Sequence, residues 1–594
     1  MTRRATITAL ATILVVTGLG AAGLAAPAVA DDPVAAPTAR PVADAAPDVA
    51  RGLIVRTTTG SPSAAVLAAT GAALSGEVEV GDAARLVPQI SAVDFAEVVD
   101  GAVADRVAEQ VERRGDVLWA VPNRLRRVDA RPPVSADDPL FRRQRNLWDT
   151  SPGRRGGFSI KAPALWRATK GSPSTVVAVI DTGITSHPDL AGKVVPGYDF
   201  ISNRSRARDG TGRDADPTDQ GDWNTRGQCP YPGSTSSSWH GTFVAGQIAA
   251  TADNRTGIAG VAPQVSVQPI RALGRCGGWD SDILDSITWA SGGSVRGVPA
   301  NPTPAPVVNL SLGALASSAS DRASACRVYD AVAAAGRARG SVFIAAAGNE
   351  GDNANRAVPA SCSEFISVGA TSRKGFSSVF SNIGSTVDLS APGGDTLVEG
   401  RSDAIVSLGN AGSKRQGAAA HVRYEGTSMA APQVAGAAAL LHGLGFTSPR
   451  ALRSAVLASV SPFRARSSTY ARKRVRIDGE TYRVDLNCST RGRTWCGRGL
   501  LDLGRVQAPV GAPTVRGTAR VGEALTASTV RWVSTPRRVT HTWRAGGAVV
   551  GTGPLYRPTA ADIGRQLTVT VSPSSGTFAR LRTTSAPTAA VTAS

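Results

Sequence analysis

Thr175-Val176-Val177-Ala178-Val179-Ile180 carries no charge, and Asp181-Thr182-Gly183 follows it at once, placing a carboxylate at a turn. A strand with one wet face alternates apolar and polar residues; a run that is apolar throughout belongs to a strand covered on both faces, as in a parallel sheet flanked by helices. Val265 to Ile270, Val307 to Leu310 and Val342 to Ala347 repeat the nearly all-apolar pattern, with longer Ala- and Gly-rich stretches of helical character between them. The region from about Asp138 to Val506 is therefore read as α/β, a parallel sheet with helices on both faces. Each of these strands ends in a loop containing Gly, Asp, Asn or Ser, and the carboxyl ends of strands are where open α/β sheets bind ligands.

Upstream, Arg3 and Arg4 precede an apolar run from about Ala5 to Leu24 and then Ala28-Val29-Ala30. Those are the parts of a signal peptide over 1–30; a membrane anchor is the competing reading, against which the Ala-x-Ala site speaks. No later stretch is long and apolar enough to cross a bilayer, so export is expected. Residues 31 to about 50 are Ala/Pro/Asp-rich, a linker. A small α/β unit follows, with strands over Arg51 to Thr57 and Val117 to Val121 and a helix over Asp94 to Arg113. The Arg-rich stretch Arg124 to Pro133 closes it, exposed and easily cut. Downstream of Pro509-Val510-Gly511, alternating Thr, Val and Arg with Trp532 and Trp543 mark a small all-β module.

The 594 residues exceed one hydrophobic core, and the 42% apolar share is that of a folded, not a disordered, chain. The formal charge of +19 comes mostly from scattered Arg. No recognition-helix, zinc-finger or aromatic RNA-binding signature accompanies it, so no nucleic-acid partner is expected. Six cysteines stand at 229, 276, 326, 362, 488 and 496. In an exported chain an even count points to disulfides, and no Cys-x-x-Cys pair argues for a metal. Six cysteines allow about 15 connectivities, and only Cys488 with Cys496 is favoured by proximity.

Three segments carry chemistry: Val179-Ile180-Asp181-Thr182-Gly183, Trp239-His240-Gly241-Thr242-Phe243, and Gly426-Thr427-Ser428-Met429-Ala430-Ala431-Pro432. Asp181 ends a buried strand, while His240 and Ser428 each open a helix. A serine hydroxyl needs a base to attack, His supplies one, and a buried Asp holds the imidazole in its useful tautomer. The helix start behind Ser428 adds backbone donors for developing negative charge. Asn349, after Ala345-Ala346-Ala347-Gly348, ends a strand where its amide can donate to an oxyanion. Singly, each residue reads as a cap or a turn; together, in the order Asp, His, Ser, they read as a nucleophilic machine.

On those motifs the stretch from about Asp138 to Val506 resembles the subtilisin-like serine peptidases, or subtilases, in a disulfide-bearing bacterial secreted branch. The resemblance implies a subtilisin-like peptidase domain over 137–507, with Asp181, His240 and Ser428 as triad and Asn349 in the oxyanion hole. It implies that Ser311, Leu312 and Gly313 form an edge pairing with substrate backbone, and that Ala345, Ala346, Ala347 and Gly348 line the pocket for the residue before the scissile bond. Phe243 stands where the family usually has a second His, and Ala314 where it often has Gly. The same resemblance implies an inhibitory, self-cleaved pro-domain within 31–136, acting on its own peptidase, and pairs Cys229 with Cys276 and Cys326 with Cys362.

The run from Arg208 to Asp222 packs Asp209, Asp214, Asp216, Asp219 and Asp222 into one loop. Oxygen-rich loops suit calcium, and because the branch resembled carries such a loop, structural calcium is favoured there over a merely solvated acidic loop. The last module, 511–594, resembles immunoglobulin-like repeats beside bacterial exported enzymes and serves as a spacer or contacts polysaccharide, cell wall or protein. The whole reading is a secreted serine endopeptidase of proteins or peptides, made as a precursor, needing no catalytic cofactor. An esterase or lipase is disfavoured because no Gly-x-Ser-x-Gly elbow occurs, and a non-catalytic scaffold because no triad member is missing.

Overall fold

The computed structural model describes residues 49–58, 64–73, 80–87, 90–124, 136–149, 157–229, 233–463, 472–477, 480–490 and 493–593. The expected signal peptide, the linker up to residue 48 and the Arg-rich stretch beyond Arg124 lie outside these residues. The chain divides into two compact units between residues 132 and 133.

The smaller unit is a four-stranded antiparallel sheet in the order Val80–Val87, Ile90–Asp100, Val49–Thr57, Val117–Arg124, with helices Ala64–Ala73 and Gly101–Glu112. The expected helix over 94–113 is corrected: the strand runs through Asp100 and the helix begins at Gly101. Val93 and Phe95 lie two apart and both enter the core, which is strand spacing; only Ala104, Val107, Ala108 and Val111 keep the helical interval.

The larger unit is built on a nine-stranded sheet. Its order is Val460–Ser461, Leu500–Leu501, Leu389–Pro392, Phe365–Thr371, Val342–Ala346, Val307–Leu310, Val176–Asp181, Ser266–Arg271, Tyr198–Asp199. All neighbours are parallel except the Val460–Ser461 edge. Strand geometry divides each apolar run between two cores. Val177, Val179, Ile344, Ala346, Ile366 and Val368 pack with the helices His240–Ala249 and Thr427–Gly443 on one face. Val176, Ala178, Ile180, Val308, Phe343 and Ala345 pack with Asp280–Ala290 and Ala319–Ala338 on the other. This double burial is why the strands read as unbroken apolar runs.

Three disulfides join Cys229 to Cys276, Cys326 to Cys362 and Cys488 to Cys496. Beyond residue 508 the chain is all-β. A three-stranded sheet and a four-stranded antiparallel sheet share a core of Leu525, Trp543, Leu567, Val569 and Val571, with Trp543 stacked on Tyr556 at 5.7 Å. Phe578 and Leu581 of this module join the main core, where Phe578 meets Phe446 edge-on at 6.2 Å.

Candidate active site

Strand Val176–Asp181 delivers Asp181 to the carboxyl edge of the sheet, fully buried, with Oδ1 accepting the Thr182 N–H at 2.7 Å. His240 is the first residue of its helix, and its Nδ1 lies 2.8 and 2.9 Å from the two Asp181 oxygens. That contact needs the helix start to lie against the loop after Asp181. A Cβ on Gly241 would collide with the Gly183 carbonyl, so the position demands glycine. Thr182 fixes the approach: its Oγ1 donates to Asp219 at 2.6 Å and accepts the Gly241 N–H at 3.0 Å.

The acid cluster beneath the imidazole sets its basicity. Burial alone would push the His240 pKa down, but the Asp181 carboxylate outweighs it, with Asp222 and Asp219 adding to the same side, and holds it above the usual histidine range. Asp219 is itself pushed up to about 7 by burial and by the neighbouring Asp222.

Ser428 is the second residue of helix Thr427–Gly443. Its hydroxyl donates to the Ser311 carbonyl at 3.1 Å, and the Ser311 hydroxyl donates to the Ser428 carbonyl at 3.0 Å. The Ser428 hydroxyl is thus bonded to Ser311 rather than to His240; catalytic hydrogen bonds often tighten only once substrate is seated. Asn349 is oriented by Thr427, whose N–H and Oγ1 both donate to Asn349 Oδ1, at 2.8 and 2.9 Å. Because Oδ1 is the acceptor end, the donor Nδ2 faces the Gly426 turn, 3.4 Å from where a Gly426 side chain would begin.

Ser311, Leu312 and Gly313 continue strand Val307–Leu310 outside any ladder, before Ala314–Leu315 pairs with Ala357–Val358. Ala345, Ala346 and Ala347 turn their side chains into three apolar clusters, so the pocket wall expected there is backbone and Gly348. Sequence reasoning missed Glu350. Its Oε2 accepts from Asn382 Nδ2 at 2.6 Å and sits 2.6 Å from the place a side chain on Gly348 would take. An exposed Glu one residue after Asn349 gave no periodic signal. It also missed the hairpin Ile405–Asn410 with Ala419–Tyr424. Tyr424 donates to the Ser238 carbonyl at 2.9 Å and its ring lies 4.9 Å from Phe243, the residue noted as unusual, which joins the His240 segment to the Ser428 segment.

The five carboxylates expected to bind calcium each have protein partners. Asp209 pairs with Arg271 at 2.8 Å, Asp214 and Asp216 accept backbone N–H groups two residues on, Asp219 is held by Thr182 and Gly221, and Asp222 by Ser238. Each of the five thus has a local donor, and no three of these carboxylates converge. Among the described residues the group that does converge is Asp137, Asp138 and Asp253, with ligand atoms within 4.8 Å of one another; these could hold a hard cation. Asp138 there is pushed up chiefly by burial, despite the Asp253 and Asn254 N–H groups.

Residues 172–477 match a family profile described as "Subtilase family". The chain is 45% identical over 313 residues to an extracellular protease of Xanthomonas campestris pv. campestris, covering 52% of this chain and 50% of that one. It is 33% identical over 322 residues to thermitase of Thermoactinomyces vulgaris, covering 54% of this chain and 92% of that one. A solved protease structure from Pseudoalteromonas arctica superposes with a TM-score of 0.53 at 38% identity, covering 62% of this chain and 97% of that one. The chain spans half the length of the Xanthomonas relative.

Proposed function

Because the chain belongs to the subtilase family, we propose that it is a secreted serine endopeptidase that cleaves proteins through Asp181, His240 and Ser428. The observation that carries the reading is the His240 imidazole held by both oxygens of a fully buried Asp181, beside a serine at a helix start. Asp181 keeps the Nδ1 proton in place, which leaves Nε2 as the base. Ser428 Oγ attacks the peptide carbonyl while Nε2 takes its proton. The C–O bond forms, and the carbonyl oxygen becomes an oxyanion facing Asn349 Nδ2 and the Ser428 N–H. Collapse breaks the C–N bond as His240 returns the proton to the amine, and water repeats the cycle on the acyl-enzyme. Ser311 to Gly313 holds the substrate backbone by strand-like pairing.

On the same reading residues 1–30 direct export and 31–136 hold an inhibitory pro-domain removed by self-cleavage near Asp137. Residues 137–507 form the peptidase, and 511–594 an immunoglobulin-like module with a ligand contact of its own. The extracellular relatives support secretion. The test is expression of wild type beside Ser428→Ala, with casein hydrolysis and N-terminal sequencing. Wild type should hydrolyse casein and begin near Asp137, and Ser428→Ala should remain inactive and uncut; a mature, active Ser428→Ala would sink the proposal.

A further inference from the structure

Between the end of the Ser428 helix and the C-terminal module lies a cleft of about 600 Å³, within the range of small-molecule and cofactor sites. One wall is Leu444 and Gly445; the other is the outward face of strands Val539–Ala545 and Leu567–Pro573. On that face Thr542 stands opposite Thr570 and Thr540 opposite Ser572, so hydroxyls repeat along it at the two-residue interval. Arg544, Arg580 and Arg582 converge on the same cleft, and no carboxylate lines it. None of the three forms an ion pair among the described residues. Arg544 donates to the Gly547 carbonyl at 2.8 Å, and Arg580 lies over the Phe446 ring at 5.2 Å.

Three arginines lining one cleft without a carboxylate among its lining residues give it a positive potential. One wall is anchored in the main core: Phe578 and Leu581, on either side of Arg580, are buried there. No aromatic residue lines the cleft, so it has no face on which a nucleobase could stack. It offers hydroxyls and Arg forks, which suit a chain bearing many hydroxyls and regularly spaced carboxylates. We infer that this cleft binds an anionic polysaccharide and so anchors the peptidase to an acidic glycan matrix. This deepens the reading of residues 511–594 as a ligand-contacting module and is independent of the catalytic assignment.

The test uses the full chain carrying Ser428→Ala, to prevent self-digestion, and an oligogalacturonate as probe in titration calorimetry at several salt concentrations. Arg580 is spared because it packs on Phe446. Arg544→Gln with Arg582→Gln should weaken binding about tenfold, the loss of one good charge contact, and reduce its salt dependence. The control pair Arg531→Gln with Arg557→Gln, on the same module outside the cleft, should leave binding within about threefold. Equal weakening by both pairs would mean diffuse charge attraction. Absent binding, or equal binding of neutral dextran or a single-stranded oligonucleotide, would overturn the inference. If Ser428→Ala proved active, the catalytic proposal would fail while these binding results kept their meaning.

Discussion

His240 is held between burial, which disfavours its charge, and three aspartates, which favour it. Its raised pKa predicts that kcat/KM falls on the acid side with a midpoint above the usual histidine value of about 6.5. Asp222→Asn removes an anion that raises this pKa, so the acid limb should move to lower pH; an unmoved limb, or one moved upward, would contradict the electrostatic account. Asn349→Ala should cut kcat about 100- to 1000-fold with little change in KM, since its amide acts on charge that exists only in the transition state. Glu350 places a carboxylate beside Gly348. Glu350→Gln should therefore lower kcat/KM for peptides with Lys or Arg before the scissile bond more than for those with Phe, as a matched peptide pair would show.

Among the elements, the strands of the main sheet were legible because burial on both faces removes every polar alternation, and Val307–Leu310 is found at its expected bounds. The two site helices were legible because their motifs sit at helix starts, where orphan N–H groups give the residue types a use. The helix expected over 94–113 was not, because Asp94 and Glu97 gave its first turns a helical look that Val93 and Phe95, two apart, override through packing. The hairpin ending at Tyr424 was invisible for another reason: its second strand, Ala419–Tyr424, alternates exposed and half-buried residues without a buried apolar face, so nothing in it signals a partner for the buried Ile405–Asn410. Cys326–Cys362 ties helix Ala319–Ala338 to the turn before Phe365–Thr371 and closes a loop of 36 residues. Replacing both cysteines by Ser should cost about 4 kcal/mol of unfolding free energy in a denaturant titration.

For the whole molecule, the sequence carried the motifs of the site but not the fate of its acidic loop. Composition counts carboxylates, whereas coordination depends on where their oxygens point, and here they point at Arg271, Thr182, Ser238 and neighbouring N–H groups. Buried acids leave a mark on stability. Asp199 and Asp395 are pushed up to about 7 and Asp403 to about 6, each chiefly by burial. A carboxyl raised in the fold favours the native state below its unfolded pKa and loses that contribution as pH rises through the folded value. Their joint effect is a decline in the melting temperature of Ser428→Ala from pH 4 to pH 7, and Asp395→Asn should flatten it; a steeper decline in that variant would contradict the sign.

The central claim is that one serine among many forms the acyl-enzyme. Labelling purified active protein with a fluorophosphonate, followed by peptide mapping, tests it most directly. A single adduct per chain on Ser428, abolished in His240→Ala, is predicted; an adduct on another residue, or casein hydrolysis that survives without any adduct, would contradict it.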